Sequence, residues 1–330
     1  MQAHPRWLSI LAAFLAASAC GLAAEAESPE LLWTLEGHLS MVESLAFSPD
    51  GKTLASGGGY TDGTIQFWDP ESGEPKRTIR VNSGSVSSLA FSPDGKLLAS
   101  ASSDTTIRLW NPSTGELKQV LRGHKGGVNC VAFSPDGKFL ASACDADEAA
   151  RLWSVQTGQV VCGTTIRWGA QSVAFSPDGK TLAGGGRFGT LTMWAVPSGS
   201  QVRLASVGEG RVRVAYSPDG NVIAHSCSGQ QVTLWSKERR GSMRPLASCG
   251  TNSPLAFSPD GRLLATGSDG RGAELWDPQT GALKQTLEGH KGRICSLAFS
   301  PDGRLLATGS DDNTVRLWDL GKWAKKQGTP

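Results

Sequence analysis

Residues 184–189, Gly-Gly-Gly-Arg-Phe-Gly, match the G-x-G-x-x-G spacing with which a strand-to-helix turn cradles a dinucleotide pyrophosphate. That chemistry needs a helix after the last glycine. The next residues are Thr190-Leu191-Thr192-Met193-Trp194, which read as a strand, so the glycines make a turn. Asp145-Ala146-Asp147-Glu148 opens like a calcium loop, but Ala150 and Gln156 stand where such a loop requires glycine and a bidentate glutamate. The chain has no G-x-S-x-G, C-x-x-C or H-E-x-x-H motif and no N-x-S/T sequon. Five histidines and two tyrosines leave little material for elaborate catalysis. Three of the histidines come directly after a glycine and are matched by an aspartate and a tryptophan downstream: His38, Asp62 and Trp68; His124, Asp147 and Trp153; His290, Asp312 and Trp318. A His–Asp pair can move protons, so whatever positions these residues decides whether they do chemistry.

Residues 289–320 hold one complete unit. An apolar run ends at Phe299, Ser300-Pro301-Asp302-Gly303 comes next, a second run leads to Asp311-Asp312-Asn313, and a third ends at Trp318. Proline at the second turn position and glycine at the fourth suit a type I turn, so the unit reads as three short strands joined by tight turns. The unit recurs. The aromatic before the Ser-Pro-Asp-Gly turn falls at Phe47, Phe91, Phe133, Phe175, Tyr216, Phe257 and Phe299, at spacings of 41 to 44 residues. The strand-ending tryptophan falls at Trp68, Trp110, Trp153, Trp194, Trp235, Trp276 and Trp318. Such self-similarity overrides any domain count taken from the 330-residue length.

With Gly289-His290 and Trp318-Asp319 as its two signature dipeptides, the chain resembles the WD40-repeat family, with a bacterial-type export signal in front. The resemblance implies an all-β fold: a seven-bladed β-propeller of four-stranded antiparallel blades, with repeats at about 31–70, 71–111, 112–154, 155–195, 196–236, 237–277 and 278–320. It also implies that residues 31–36 supply the outer strand of the last blade and close the ring, which removes exposed sheet edges. In the family the aspartate binds the Gly-His histidine, the histidine contacts a second-strand hydroxyl, and that hydroxyl reaches the indole N–H. Thr308 or Ser310 is the candidate hydroxyl in the last repeat. The three His-Asp-Trp sets are therefore expected to be structural. Other repeats depart from the signature: Asn82, Ile166, Val207 and Ser248 replace the histidine, and Phe188, Gly229 and Gly270 the aspartate. Blades four to six are expected to rest on packing alone. Middle strands such as Leu305-Leu306-Ala307-Thr308-Gly309 are apolar and small throughout, as a strand buried on both faces requires. The inner strands read Ser-Leu-Ala-Phe, Cys-Val-Ala-Phe and Ser-Val-Ala-Phe, without paired carboxylates or clustered histidines, so an enzyme is not expected.

The family's usual binding face carries the Gly-His loops and the turns before the third strands. Here that face offers Tyr60, Thr61, Ser103, Ala146, Arg187, Phe188, Arg271, Arg293 and Asp311, positions that vary while the core repeats. Gly57 to Thr61, which include two extra residues, should protrude. The expected role is a non-catalytic protein–protein interaction scaffold for a protein or peptide outside the cytoplasm. The alternative is a lipoprotein of envelope assembly, resembling the propellers that help build outer-membrane barrels. A channel ligand binder or enzyme is a third reading. No cofactor and no metal are expected, and a closed ring is expected to be a monomer. A formal charge of +2 gives no reason to expect nucleic acid.

Residues 1–26 lie outside the repeats. Arg6 precedes eighteen uncharged residues, Trp7 to Ala24, and Ala24-Glu25-Ala26 is a small-x-small cleavage site. This is the pattern of a secretory signal, with a mature chain from Glu27. Ala17-Ser18-Ala19-Cys20 is a rival, a lipobox-like stretch that would make Cys20 a lipidated first residue. An uncleaved membrane anchor is a third alternative. Membrane contact would arise only from the second or third. The remaining cysteines, Cys130, Cys144, Cys162, Cys227, Cys249 and Cys295, are either buried thiols or partly bonded; the propeller that the resemblance implies would put Cys144 and Cys227 two blades apart, so that pair is not expected to bond. The tail 321–330 carries lysines around Trp323 and is expected to be a solvated end.

Overall fold

The computed structural model describes residues 28–81, 84–147, 149–165, 169–227, 231–236, 243–246, 253–268 and 272–326. The positions of residues 1–26, with the export signal and Cys20, and of Asn82, Ile166, Gly229, Ser248, Cys249, Gly270 and Arg271 lie outside them. The described residues form seven antiparallel four-stranded sheets. Six blades are consecutive in the chain, from Val42–Phe47, Leu54–Gly58, Thr64–Trp68 and Pro75–Arg80 in blade one to Leu255–Phe257, Leu264–Gly267, Ala273–Trp276 and Leu283–Leu287 in blade six. The seventh joins Ile294–Phe299, Leu305–Ser310 and Val315–Asp319 to Glu30–Leu35 from the other end of the chain. That closing strand pairs from Glu30 with Asp319 to Leu35 with Val315, across a shift between Leu31 and Trp33.

Three sets of contacts repeat around the ring, and each has a sequence cause. The first lies between blades. Every junction holds one apolar cluster in which the later blade's tryptophan packs on the earlier blade, as Trp110 does with Ile65, Phe67 and Ile79, and Trp153 with Ile107 and Leu109. A tryptophan buries about 150–250 Å², at most about 4–6 kcal/mol of transfer free energy each. The second set lies at the turns. In every Ser-Pro-Asp-Gly the glycine N–H donates to the serine carbonyl at 2.8–2.9 Å, and the glycine sits at a φ of +69 to +72°. The proline covers the next blade's turn glycine: a Cβ on Gly95 would meet Pro49 at 3.6 Å, and one on Gly51 would meet Pro301 at 3.7 Å. The third set is of serine hydroxyls that latch one blade to the start of the next blade's inner strand. Ser44 Oγ donates to the Val86 carbonyl at 2.9 Å, Ser172 to Val212 at 3.0 Å, Ser226 to Ser253 at 2.8 Å, and Ser296 to Val42 at 3.1 Å, the last across the closing junction.

The structure differs from the sequence reading in several places. The tail is not a solvated end: Gly321–Lys326 is a helix, and Trp323, 2% exposed, packs with Leu275, Leu287, Leu306 and Leu320 across blades six and seven. The lysine-rich composition concealed the one large apolar anchor. The glycine-rich stretch of blade one does not protrude as a whole. Gly57 and Gly58 are buried in the second strand, where Cβ atoms would strike Ser44 and Asp62, and only Tyr60 and Thr61 stand out. Cys130, Cys144, Cys162 and Cys295 are free thiols. Among the described residues no helix is long and apolar enough to cross a membrane.

Trp323→Ala leaves a cavity spanning two blades and should lower unfolding stability by about 3–5 kcal/mol. An unchanged denaturant midpoint would mean the helix is not docked.

Candidate functional site

The three His-Asp-Trp sets are directional hydrogen-bond relays. In blade one Trp68 Nε1–H donates to Ser56 Oγ at 2.8 Å, that hydroxyl meets His38 Nε2 at 2.7 Å, and His38 Nδ1 meets Asp62 at 2.5 Å. Blade three repeats it through Trp153, Ser142, His124 and Asp147. Blade seven does so through Trp318, Thr308, His290 and Asp312, which makes Thr308 the hydroxyl there. Every donor is used once if the imidazole is neutral and carries its proton on Nδ1. Burial pushes all three histidines below their ordinary pKa, by more than their aspartates raise it. The imidazoles are buried and fully partnered, which suits a structural clamp and leaves nothing for a substrate to meet.

Blades two and six keep half of the relay. Trp110 donates to Ser100 at 2.8 Å and Trp276 to Thr266 at 3.0 Å, so blade six does not rest on packing alone. In blade two Asp104 pairs instead with Arg108 at 2.7 Å. Blade four has Gly184 at the hydroxyl position, two residues beyond the Leu182 that faces Trp194. Blade five has His225 there, two beyond the Ile223 that faces Trp235. Both ring nitrogens of His225 lack a hydrogen-bond partner among the described residues, and burial holds its pKa down to about 4.

Around Asp147 a thiol joins the relay: ligand atoms of His124, Cys144 and Asp147 lie within 4.8 Å of one another. This donor set could suit a soft divalent ion. However, the Asp147 carboxylate already takes Arg151 Nη2 at 2.9 Å as well as His124, and burial pushes the Cys144 thiol up, away from thiolate. The cluster is charge-balanced without a cation.

The face candidates come together on the side of the ring bearing the Gly-His loops, since strand direction puts all of these turns there. Tyr60, Thr61, Ala146, Arg187, Phe188, Arg293 and Asp311 are exposed; Ser103 is half-buried, and its hydroxyl accepts the Ser85 N–H at 2.9 Å. Arg187 stacks over Phe188 at 6.0 Å. Two further exposed apolar side chains stand on the adjacent loop: Leu39, 74% exposed, whose N–H bonds Asp62, and Met41, whose carbonyl takes the Gly59 N–H. At the centre of this face the channel opens into a cavity of about 410 Å³ whose lining includes Met41, Glu43, Arg211, Arg213 and Arg293.

A family model described as "WD domain, G-beta repeat" matches residues 29–69, 73–111, 115–154, 255–277 and 281–319, more than half of the chain. The chain belongs to the WD40-repeat family. The unmatched stretch, 155–254, takes in all the described strands of blades four and five, where the WD40 relay is missing and where Arg187, Phe188, Arg211 and Arg213 arise.

Sequence reasoning missed Leu39, Met41, Glu43, Arg211 and Arg213, yet a signal was present. The ring serines Ser44, Ser172 and Ser296 stand three residues before the aromatic of their WD40 repeat, and Arg213 holds that place in blade five. Blade five also lacks the register shift seen between Val42 and Ser44 or between Ile294 and Ser296. The arginine thus enters the channel from a position that latches adjacent blades in blades one, four and seven.

Unfolded, the His225 imidazole titrates near 6.5, and folded at about 4. Between those values only the unfolded chain holds the proton, so its share of stability is complete above pH 6.5 and falls by about 1.4 kcal/mol per pH unit toward 4. Denaturation midpoints compared at pH 7 and pH 5 should therefore drop less in His225→Ser, which restores the hydroxyl of other blades, than in the parent. Equal drops would refute this role.

Proposed function

We propose that this chain is an exported, non-catalytic interaction scaffold that holds a protein or peptide partner on the face bearing the Gly-His loops. WD40 propellers commonly serve as such scaffolds, and the observation that favours this face is its exposed apolar set. Tyr60 and Leu39 are 76% and 74% exposed, with Met41 beside them and Phe188 across the channel mouth. Large apolar side chains held out in water around a polar recess fit an interface with a hydrophobic part and a polar part. The opposite face carries the near-identical Ser-Pro-Asp-Gly turns, whose serine and aspartate side chains bond within the turn. The relay histidines are enclosed, which argues against proton-transfer chemistry at the one recurrent His–Asp arrangement. Export is supported by the basic start, the uncharged run and the Ala-Glu-Ala site of residues 1–26.

Two measurements test this reading. Affinity capture from exported fractions should lose its partners with Tyr60→Ser/Phe188→Ser; capture of the same set by variant and parent would remove the face from consideration. Intact mass of the exported protein should correspond to a chain starting at Glu27. A product beginning at acylated Cys20 would replace this reading with the envelope lipoprotein, and an unprocessed cytoplasmic chain would end the export claim.

A further inference from the structure

We propose that the channel mouth is a carboxylate-binding pocket that takes an acidic side chain of the docked partner, with Arg211 and Arg293 as its gripping groups and Glu43 as the charge that limits its affinity. This deepens the proposed function and rests on that face being the binding surface.

Among the described residues three guanidiniums line the cavity, Arg211, Arg213 and Arg293, against the one carboxylate of Glu43, a formal excess of two positive charges. The whole chain carries +2, so the remainder is balanced and the excess sits in the recess. The residues are near enough to act on each other. Burial first, and then the charges of Arg293 and Arg211, hold Arg213 below the usual guanidinium range. Burial likewise pushes Glu43 up, with Ser85 and Arg213 pulling it back, so the one internal counter-charge is itself disfavoured. Among the described residues neither Arg211 nor Arg293 makes a salt bridge. Both are exposed at the mouth, while Arg213 is half-buried below them.

Asp311 and Glu209 stand on exposed face loops outside the lining. There, water and salt screen charge over about 8 Å, whereas groups sharing a recess are screened less. Guanidinium forks match the two oxygens of a carboxylate. A cavity of about 410 Å³ admits a side chain, not a folded element, and the apolar Tyr60, Leu39 and Phe188 around it suit a peptide backbone lying across the mouth. A nucleic acid would need a continuous basic track, which the balanced remainder of the chain does not offer.

The test uses fluorescence anisotropy with a labelled, C-terminally amidated Gly-Glu-Glu-Glu-Gly peptide, its Gln counterpart and a dT oligonucleotide of equal charge. The Glu peptide should bind and the other two should not compete. Arg211→Gln/Arg293→Gln should weaken binding by about tenfold or more, and about 0.5 M salt should have a similar effect. Glu43→Gln should strengthen binding by about threefold, a gain that a damaged fold would not produce. Equal binding of the Gln peptide or the oligonucleotide would overturn the proposal. An unchanged affinity in the folded double arginine variant, or no gain in Glu43→Gln, would do the same. If these fail while Tyr60→Ser/Phe188→Ser still abolishes partner capture, the acidic specificity is wrong and the binding face stands.

Discussion

The antiparallel pairing of Glu30–Leu35 with Val315–Asp319 is the constraint on which the other contacts depend. Six blade junctions are made by neighbours in the chain. The seventh has to bring together residues such as Ser296 and Val42, 254 apart in sequence, against the entropy of closing that loop. Three independent contacts meet there: the strand ladder, the cluster of Leu35, Val42, Trp68, Val315 and Leu317, and the Ser296 hydroxyl on Val42. Without them blade seven would present a bare edge, and blades one and seven would each show water an apolar face made to pack. Two of the three complete His-Asp-Trp relays, those of blades one and seven, flank this same junction.

Departures from the repeat gather on the other side. Blade four lacks the relay hydroxyl, blade five fills that place with an unpartnered imidazole, and the ring serine of blade five has become Arg213. The exposed Arg187–Phe188 stack and Arg211 belong to the same two blades. A repeat array can give up local regularity where neighbours and closure hold the backbone, and such lapses tend to mark functional positions. Blade five keeps its place through Ser226 on Ser253 and through the Trp235 cluster rather than through its own relay.

Blade count, closing strand and relay partners could be read from the sequence because each depends on residue type at fixed offsets: a turn proline and glycine, a strand-ending tryptophan, a Gly-His before the inner strand. The channel could not be read as easily, because its character depends on which of two adjacent inner-strand residues faces the axis. A register shift at Val42–Ser44 that blade five lacks changes that assignment. The helix at 321–326 escaped for a related reason: six residues with three lysines look solvated until Trp323 finds the gap between blades six and seven. Composition reports the average of a short segment, and a single anchor can outweigh it. Tyr60 and Phe188 were visible as turn residues, but only the folded loops bring Leu39 and Met41 beside Tyr60.

Hydrogen–deuterium exchange across the closing junction tests the ring most directly. The ladder amides of residues 31–35 should exchange as slowly as those of Val315–Leu317 opposite them and through the same opening event. Exchange of residues 31–35 at the rate of a free segment, with the other strands of blade seven still protected, would contradict closure by the N-terminal strand.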